Sequence, residues 1–286
     1  MISVHLMGGL GNQAFQIFTA LAAGMDQNVR VVFPYSTKVG SRQTYWTTLF
    51  ASIWQHTTTA PDADVTNQDL ESWPKYHEPR FAFDPVPPFH GNPTMLHGYF
   101  QSWRYFHHVR QDIFQQIHLS DMIEATRTKY KHYFEDGGVV VSMHFRLGDY
   151  KHLPDHHPVI PSTYYENAME ACGVHHVIHK ILYFCEAEDK TSVESTVEGL
   201  QRKFPTVRFT RVEDDIPEWH QLLIMSSCTA HIIANSSYSW WGAYLSGHDG
   251  VYYPDQWFGP RLAQHDTRDL FPPSWTRVAC APSSGR

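Results

Sequence analysis

From residue 139 onward, short apolar runs alternate with stretches of helical period, and this pattern restricts the fold most tightly. Val139–Phe145 reads as a strand buried on both faces, because Val-Val-Val-Ser-Met leaves almost no polar side. A helix is expected near 162–172, a strand at Ile181–Cys185, a helix near 190–203 and a strand at Val207–Thr210. A helix near 217–227, a strand at His231–Ala234 and a helix from about Ser239 follow. Such alternation builds an α/β fold with a parallel sheet and helices on both faces. Ligands of such sheets bind at the carboxyl ends of the strands, which directs attention to the loops 8–13, 144–150 and 235–241.

The chain opens similarly. Ile2, Val4 and Leu6 alternate with Ser3 and His5 as in a strand, Gly8-Gly9-Leu10-Gly11-Asn12 is a tight loop, and Gln13–Ala23 is apolar at helical spacing. Val29–Phe33 reads as a second strand, completing a βαβ opening. Residues 36–98 show no period, and Pro74, Pro79, Pro85, Pro87, Pro88 and Pro93 punctuate them, so a loop-rich section is expected. Residues 103–134 read as helical. With 286 residues, 42% of them apolar, the chain suits two domains. The bend at Asp136-Gly137-Gly138 places them at 1–136 and 137–286, the first loop-rich and the second more regular.

Composition excludes several classes of function. A net charge of -7 does not suit a binder of nucleic-acid backbone, although a single nucleotide needs only one or two well-placed cations. Cys172, Cys185, Cys228 and Cys280 show no CxxC spacing, so neither a zinc site nor a disulfide scaffold is indicated and a reducing compartment fits. The opening residues lack a signal-peptide pattern, and no stretch reaches the roughly 18–20 apolar residues of a membrane span, so a cytoplasmic location is expected.

Three constellations could carry chemistry. Gly9-x-Gly11-x-x-Ala14, between a strand and a helix, has the form of a dinucleotide fingerprint, but the second strand ends Val31-Val32-Phe33-Pro34 without the acid that would hold a ribose. The loop is either a simple glycine turn or a place of close backbone approach to a ligand, with Asn12 beside it. His144-Phe145-Arg146-Leu147-Gly148-Asp149-Tyr150 leaves the buried strand with His144 and Arg146 on one face. The Arg146 fork suits a phosphate, Asp149 could orient it or take a proton, and the bland alternative is a surface Arg–Asp pair. Asn235-Ser236-Ser237-Tyr238-Ser239 follows a strand and opens a helix, so its hydroxyls and free N–H groups form an anion site, a helix cap, or both.

Weaker signals surround these. Asp62-Ala63-Asp64 has the DxD form of a metal-diphosphate motif but lies in a polar loop. His152, Asp155, His156 and His157 fit no standard metal site. Glu186, Glu188 and Asp189 either line the site or begin a helix, where acids are favoured.

These motifs, together with Gly98-Tyr99-Phe100-Gln101-Ser102, Pro161-Ser162-x-Tyr164-Tyr165 and Pro254-x-x-Trp257-Phe258, resemble the bacterial-type α-1,2-fucosyltransferases of glycosyltransferase family 11, in the family's order. The resemblance implies a GT-B-like fold of two Rossmann-like domains with a cleft between them, the first on the acceptor side and the second binding the donor. It implies inverting transfer of L-fucose from GDP-fucose, without a cofactor or essential metal, to a glycan acceptor, usually a galactose-terminated β-galactoside at its 2-OH. The resemblance places Gly9, Gly11, Asn12 and Gln13 at the donor, Asn12 near the fucose and leaving oxygen, and His144 at the guanine or its ribose. Arg146 would hold the diphosphate, with Asn235, Ser236, Ser237, Tyr238 and Ser239 around the phosphates. Asp149 is the first candidate for the base and Glu186 the second.

Three positions depart from the family pattern. Leu147 replaces a second arginine, Phe184-Cys185-Glu186-Ala187 replaces an FSDD-like segment, and His220 and Gln221 stand where an acid that reads guanine is usual; Glu218 or Asp215 could supply it. Two other classes of function remain open on the residues alone. One is a nucleotide-dependent oxidoreductase on the glycine loop; the other is a non-catalytic sugar-binding protein using the 14% aromatic residues, which would leave His144, Arg146 and Asp149 without a purpose.

Overall fold

A computed structural model describes residues 1–135 and 137–281. They form two α/β units: Met1–Asp121 with His265–Pro272, and Met122–Gln264 with the chain from Pro273 onward. Asp136, where the sequence places a bend, lies outside the described residues. Among the described residues no helix is long and apolar enough to cross a membrane.

The first unit contains β1 (Ile2–Val4), α1 (Leu10–Gln27), the ribbon strands β2 (Lys38–Val39) and β3 (Arg42–Gln43), α2 (Asn67–Ser72), β4 (Lys75–His77), β5 (Thr94–His97) and α3 (Arg110–Gln116). The division between units falls inside α4 (Leu119–Lys129). Its sheet has the order β1-β5-β4, all parallel. Val29–Phe33 does not make a strand: only single bridges form, Ile2 to Val31 and Phe33 to Thr57. Pro34, with no N–H, follows immediately and stops a ladder from growing. The section 36–98 is more regular than expected. Pro74 and Pro93 stand just before β4 and β5, so these prolines bound strands and do not interrupt them. The stretch 103–134 is broken into short turns and two α-helices, with His118 at φ +53 between them. Helix α1 is buried nearly all round, through Leu10, Ala14, Phe15, Ile17, Phe18 and Leu21, as befits a central helix. The returning segment 265–272 is held at Asp269, which accepts hydrogen bonds from Arg104 at 2.9 Å, from the Ser102 hydroxyl at 2.6 Å and from Phe83 N–H at 3.2 Å.

The second unit contains β6 (Val139–His144), α5 (Ser162–His175), β7 (Ile178–Phe184), α6 (Lys190–Lys203), β8 (Arg208–Arg211), α7 (Glu218–Ser226), β9 (Ala230–Ile232), α8 (Ser237–Ser246), β10 (Val251–Pro254) and β11 (Thr276–Val278). They build a parallel sheet of order β11-β10-β9-β6-β7-β8. The alternation read from sequence is observed from β6 to α8; β10 and β11 extend the sheet beyond it. Val141, Met143 and Phe145 pack with Tyr164, Met169 and Leu200 on one face, while Val140, Leu182 and Phe184 pack with Ile224 and Met225 on the other. Each large apolar side chain buried this way stabilises the fold by about 1.5–3 kcal/mol relative to exposure. This two-sided core fixes β6, so the residues just beyond it are delivered to one place.

Candidate active site

In the second unit, Arg146 stands two residues beyond β6. Its guanidinium pairs with Glu186 through one nitrogen and with Asp149 at 2.6 Å through another. It lies 5.1 Å from the centre of the Tyr150 ring. Burial acts to lower the Arg146 pKa, but the two carboxylates outweigh it and hold it above the ordinary value, so the cation is permanent. Two of its five N–H donors are used in these pairs, which leaves donors for an anion. Gly148 is needed where it stands. Its φ is +33, and a Cβ there would lie 2.5 Å from Glu186 Oε2. The Gly148 N–H donates to Asp189 at 2.7 Å, and Lys151 pairs with the other Asp189 oxygen. Asp189 is fully buried, so it acts as the post on which the 148–152 turn is hung.

His144, at the end of β6, is buried. Burial, then the Arg146 charge, push its pKa down to about 3, so the ring is neutral. Its Nδ1 is buried without a hydrogen-bond partner, and its ring lies 5.6 Å from that of Tyr238. The residues around the start of α8 divide by role. Asn235 points inward, donating to Pro158 O at 2.9 Å and Trp257 O at 3.2 Å, while its Oδ1 has no partner. Ser236 caps α8 by accepting from Tyr238 N–H at 3.3 Å. Ser239 is fully buried and bonds to the carbonyls of Ala234 and Ser236. Ser237 and Tyr238 are half-buried; the Tyr238 hydroxyl donates to Glu218 O at 2.7 Å. Tyr150 ties the two loops together by donating to Asn235 O at 3.2 Å.

Among the described residues, Glu186, Glu188 and Asp189 are the one group of metal-ligating side chains whose ligand atoms gather, within 4.8 Å. Glu186 is paired with Arg146 and Asp189 with Lys151, so two of the three carboxylates already have a cation as partner. Asp64 pairs with Arg30 at the surface. His157 stacks on Tyr150 at 4.7 Å.

The first unit carries a second cluster. Gly8, at φ +76, lies under the Asn12 side chain, whose Nδ2 would be 2.5 Å from any Cβ there. Gly9 precedes α1 in extended conformation, with no side-chain cap on the helix. Gly11 is buried inside α1. Gln13 is buried and braces the loop, donating to Gly8 O at 3.0 Å and Gln43 O at 2.8 Å. Three residues not singled out from the sequence complete the cluster. Gln16 accepts from Met7 N–H at 2.9 Å and donates to Gly98 O at 3.2 Å. Gln101 donates to Asn12 Oδ1 at 2.8 Å. Glu78 accepts from the N–H groups of Tyr99 and Phe100, each at 2.9 Å. Gln101 belonged to a motif already noted, and Gln16 repeats Gln13 one helical turn on; Glu78 had no local signal.

The family described as Glycosyl transferase family 11 matches residues 65–279. This chain belongs to glycosyl transferase family 11. The matched span of the family 11 chain includes Glu78, Gln101, Arg146 and the start of α8. The whole chain is 24% identical over 307 aligned residues to a galactoside alpha-(1,2)-fucosyltransferase 2 of Gorilla gorilla gorilla, covering 98% of this chain and 79% of the relative. An O-antigen biosynthesis glycosyltransferase WbnK of Escherichia coli is 31% identical over 154 residues, 52% of this chain and 48% of that one. An alpha-1,2-colitosyltransferase of Escherichia coli is 27% identical over 196 residues, covering 63% and 61%. Among solved structures, an Arabidopsis thaliana FUT1 variant in complex with GDP aligns with a TM-score of 0.50 at 8% identity, covering 95% of this chain and 74% of that chain. The shared fold is the α/β, Rossmann-like GT-B arrangement, as expected from the sequence.

Proposed function

We propose that this family 11 chain transfers L-fucose from GDP-fucose, with inversion and without a metal, to the 2-OH of a β-galactoside. The observation that carries the reading is Arg146, a permanent cation fixed between Glu186 and Asp149 at the carboxyl end of a strand buried on both faces. The names of the galactoside fucosyltransferase and colitosyltransferase relatives support an α-1,2 linkage.

In this reading the acceptor oxygen attacks the anomeric carbon as the bond from that carbon to the diphosphate oxygen breaks. GDP leaves with the electron pair, and the acceptor proton passes to a carboxylate, Asp149 first and Glu186 second. Negative charge grows on the diphosphate, where a prepositioned donor is worth most. Arg146 meets that charge, and the Ser236 and Ser237 hydroxyls with the free N–H groups at the start of α8 add neutral donors. Asn12 serves the fucose and the leaving oxygen. His144, uncharged and with an unpartnered ring nitrogen, supplies a neutral contact to the nucleoside.

The test is incubation with GDP-fucose and lactose, followed by NMR of the product linkage. The expected products are GDP and an α-1,2-fucosylated galactoside. Transfer from a different nucleotide sugar only, or stabilisation by NAD and not by GDP in a thermal-shift panel, would overturn the reading.

A further inference from the structure

Three histidines stand side by side where the parallel strands of the first unit end. His97 ends β5 and pairs in register with His77, which ends β4. His5 follows Val4, whose partner is Leu96, so His5 falls beside His97. The His5 and His97 rings are stacked, 5.0 Å between centroids and 19° between planes, and the His77 ring lies 4.7 Å from that of His97. His5 and His77 are exposed and His97 is half-buried. None of the three has a role in the chemistry above.

Each of these residues leads into a segment of the first-unit cluster. His97 precedes the Gly98–Ser102 turn that holds Asn12, His77 precedes Glu78, which holds that turn, and His5 leads into the Gly8 loop. Carboxyl ends of parallel strands are where such sheets take their ligands. The two units differ in charge there. The second presents Arg146 and Lys151, suited to an anion. The first presents the imidazoles with the Asn12 and Gln101 amides, a set suited to a polyhydroxylated, uncharged molecule.

We infer that the His5–His97–His77 row is the platform on which the first unit binds the neutral glycan acceptor. The inference rests on the transfer reading above for the acceptor's identity. A neutral imidazole offers one donor and one acceptor nitrogen, which suits sugar hydroxyls that both give and take hydrogen bonds. The surroundings disfavour the charged form of His5 and His97. Burial, then His97 and Lys75, lower the His5 pKa against the opposing Glu71, and burial, then His77 and Lys75, lower that of His97. Protonation would turn the His5 or His97 ring into a donor-only cation that Lys75 repels.

The experiment reads acceptor binding apart from transfer. Saturation-transfer NMR with lactose is recorded for the unaltered chain and for His5→Gln, His77→Gln and His97→Gln, with the GDP-induced thermal shift as the measure of fold and donor binding. The expected result is a lactose signal from the unaltered chain that falls at least fivefold in His97→Gln and His77→Gln, with the GDP shift kept. Lactose binding should also weaken from pH 7 to pH 5 in the unaltered chain, and less steeply in His97→Gln. A lactose signal unchanged within twofold in all three variants overturns the inference, as does an unaltered chain with no lactose signal. A chain that binds lactose through the row but forms no fucosylated product refutes the transfer reading and leaves the platform standing.

Discussion

Gln101 donates its side-chain amide to Asn12 Oδ1 at 2.8 Å, joining the turn after β5 to the loop that opens α1. The bond fixes which way the Asn12 amide faces, since the other end of that amide lies over Gly8. Asn12→Ala should lower kcat by about 10- to 1000-fold, the range for one lost transition-state donor. Gln101→Ala should lower it in the same direction by a smaller factor, with the melting temperature held. Steady-state kinetics on both variants decide this; an unchanged kcat for Asn12→Ala would assign it to the turn alone.

Arg146 is expected to be irreplaceable. With Leu147 beside it, no second guanidinium compensates. Arg146→Ala should abolish measurable transfer, and Arg146→Lys should stay severely impaired because an ammonium cannot make two parallel bonds to a diphosphate. Both should fold, because Asp149 and Glu186, left without the guanidinium, are 53% and 43% exposed and can be solvated by water. A lysine variant with near-normal kcat would refute the assignment.

Gly148→Ala tests the Arg146–Glu186 pair from the other side. The new Cβ would meet Glu186 Oε2 at 2.5 Å, so the carboxylate must move. The variant should lose activity, and Gly148→Ala combined with Glu186→Ala should be no worse than the more damaging single change, because contacting residues are not additive. Full additivity of the two effects would show that Gly148 acts on something else.

Glu78 gives the stability a pH dependence. Burial pushes its carboxyl up to about 7, against the pull of the two N–H groups it accepts, and its Oε1 is buried without a partner. The folded pKa lies above the ordinary value of 4.5, so between about 4.5 and 7 the folded chain keeps a proton that the unfolded chain has lost. Stability should therefore fall as pH rises through that window, by on the order of 3 kcal/mol at about 1.4 kcal/mol per pKa unit. Urea titrations from pH 4.5 to 8 should show the fall in the unaltered chain and a flatter profile in Glu78→Gln. Equal slopes in both would contradict it.

Transfer is expected to survive EDTA, because Arg146 supplies the positive charge at the leaving diphosphate. Loss of activity restored by magnesium or manganese would point instead to the Glu186, Glu188 and Asp189 group.

The second unit was legible in sequence as far as α8, because β6 and β7 are apolar runs and one helix separates each pair of strands from β6 to β9; a strand such as β6 announces both its burial and its exit loop, whereas β10 and β11, short and with no α-helix between them, were not read. The small strands β4 and β5 were not, since three or four residues flanked by proline carry no period. The same holds for side chains that act at a distance. Arg146, Asp149 and the start of α8 are neighbours of a strand end and could be found locally. Asp189 beneath Gly148, Glu78 beneath Phe100, and the meeting of His5, His77 and His97 are created by register and burial, which leave no mark along the chain.

The short return of residues 265–272 to the first unit bears on how such a chain can be recombined. Asp269 meets Arg104 across 165 positions of sequence, and also serves Ser102 and Phe83. A single crossover near residue 121 would therefore unite a new Arg104 with an old Asp269. Exchange of the first unit between relatives takes two further crossovers, around 265 and 272, so that a piece of eight residues travels with the amino-terminal portion it serves.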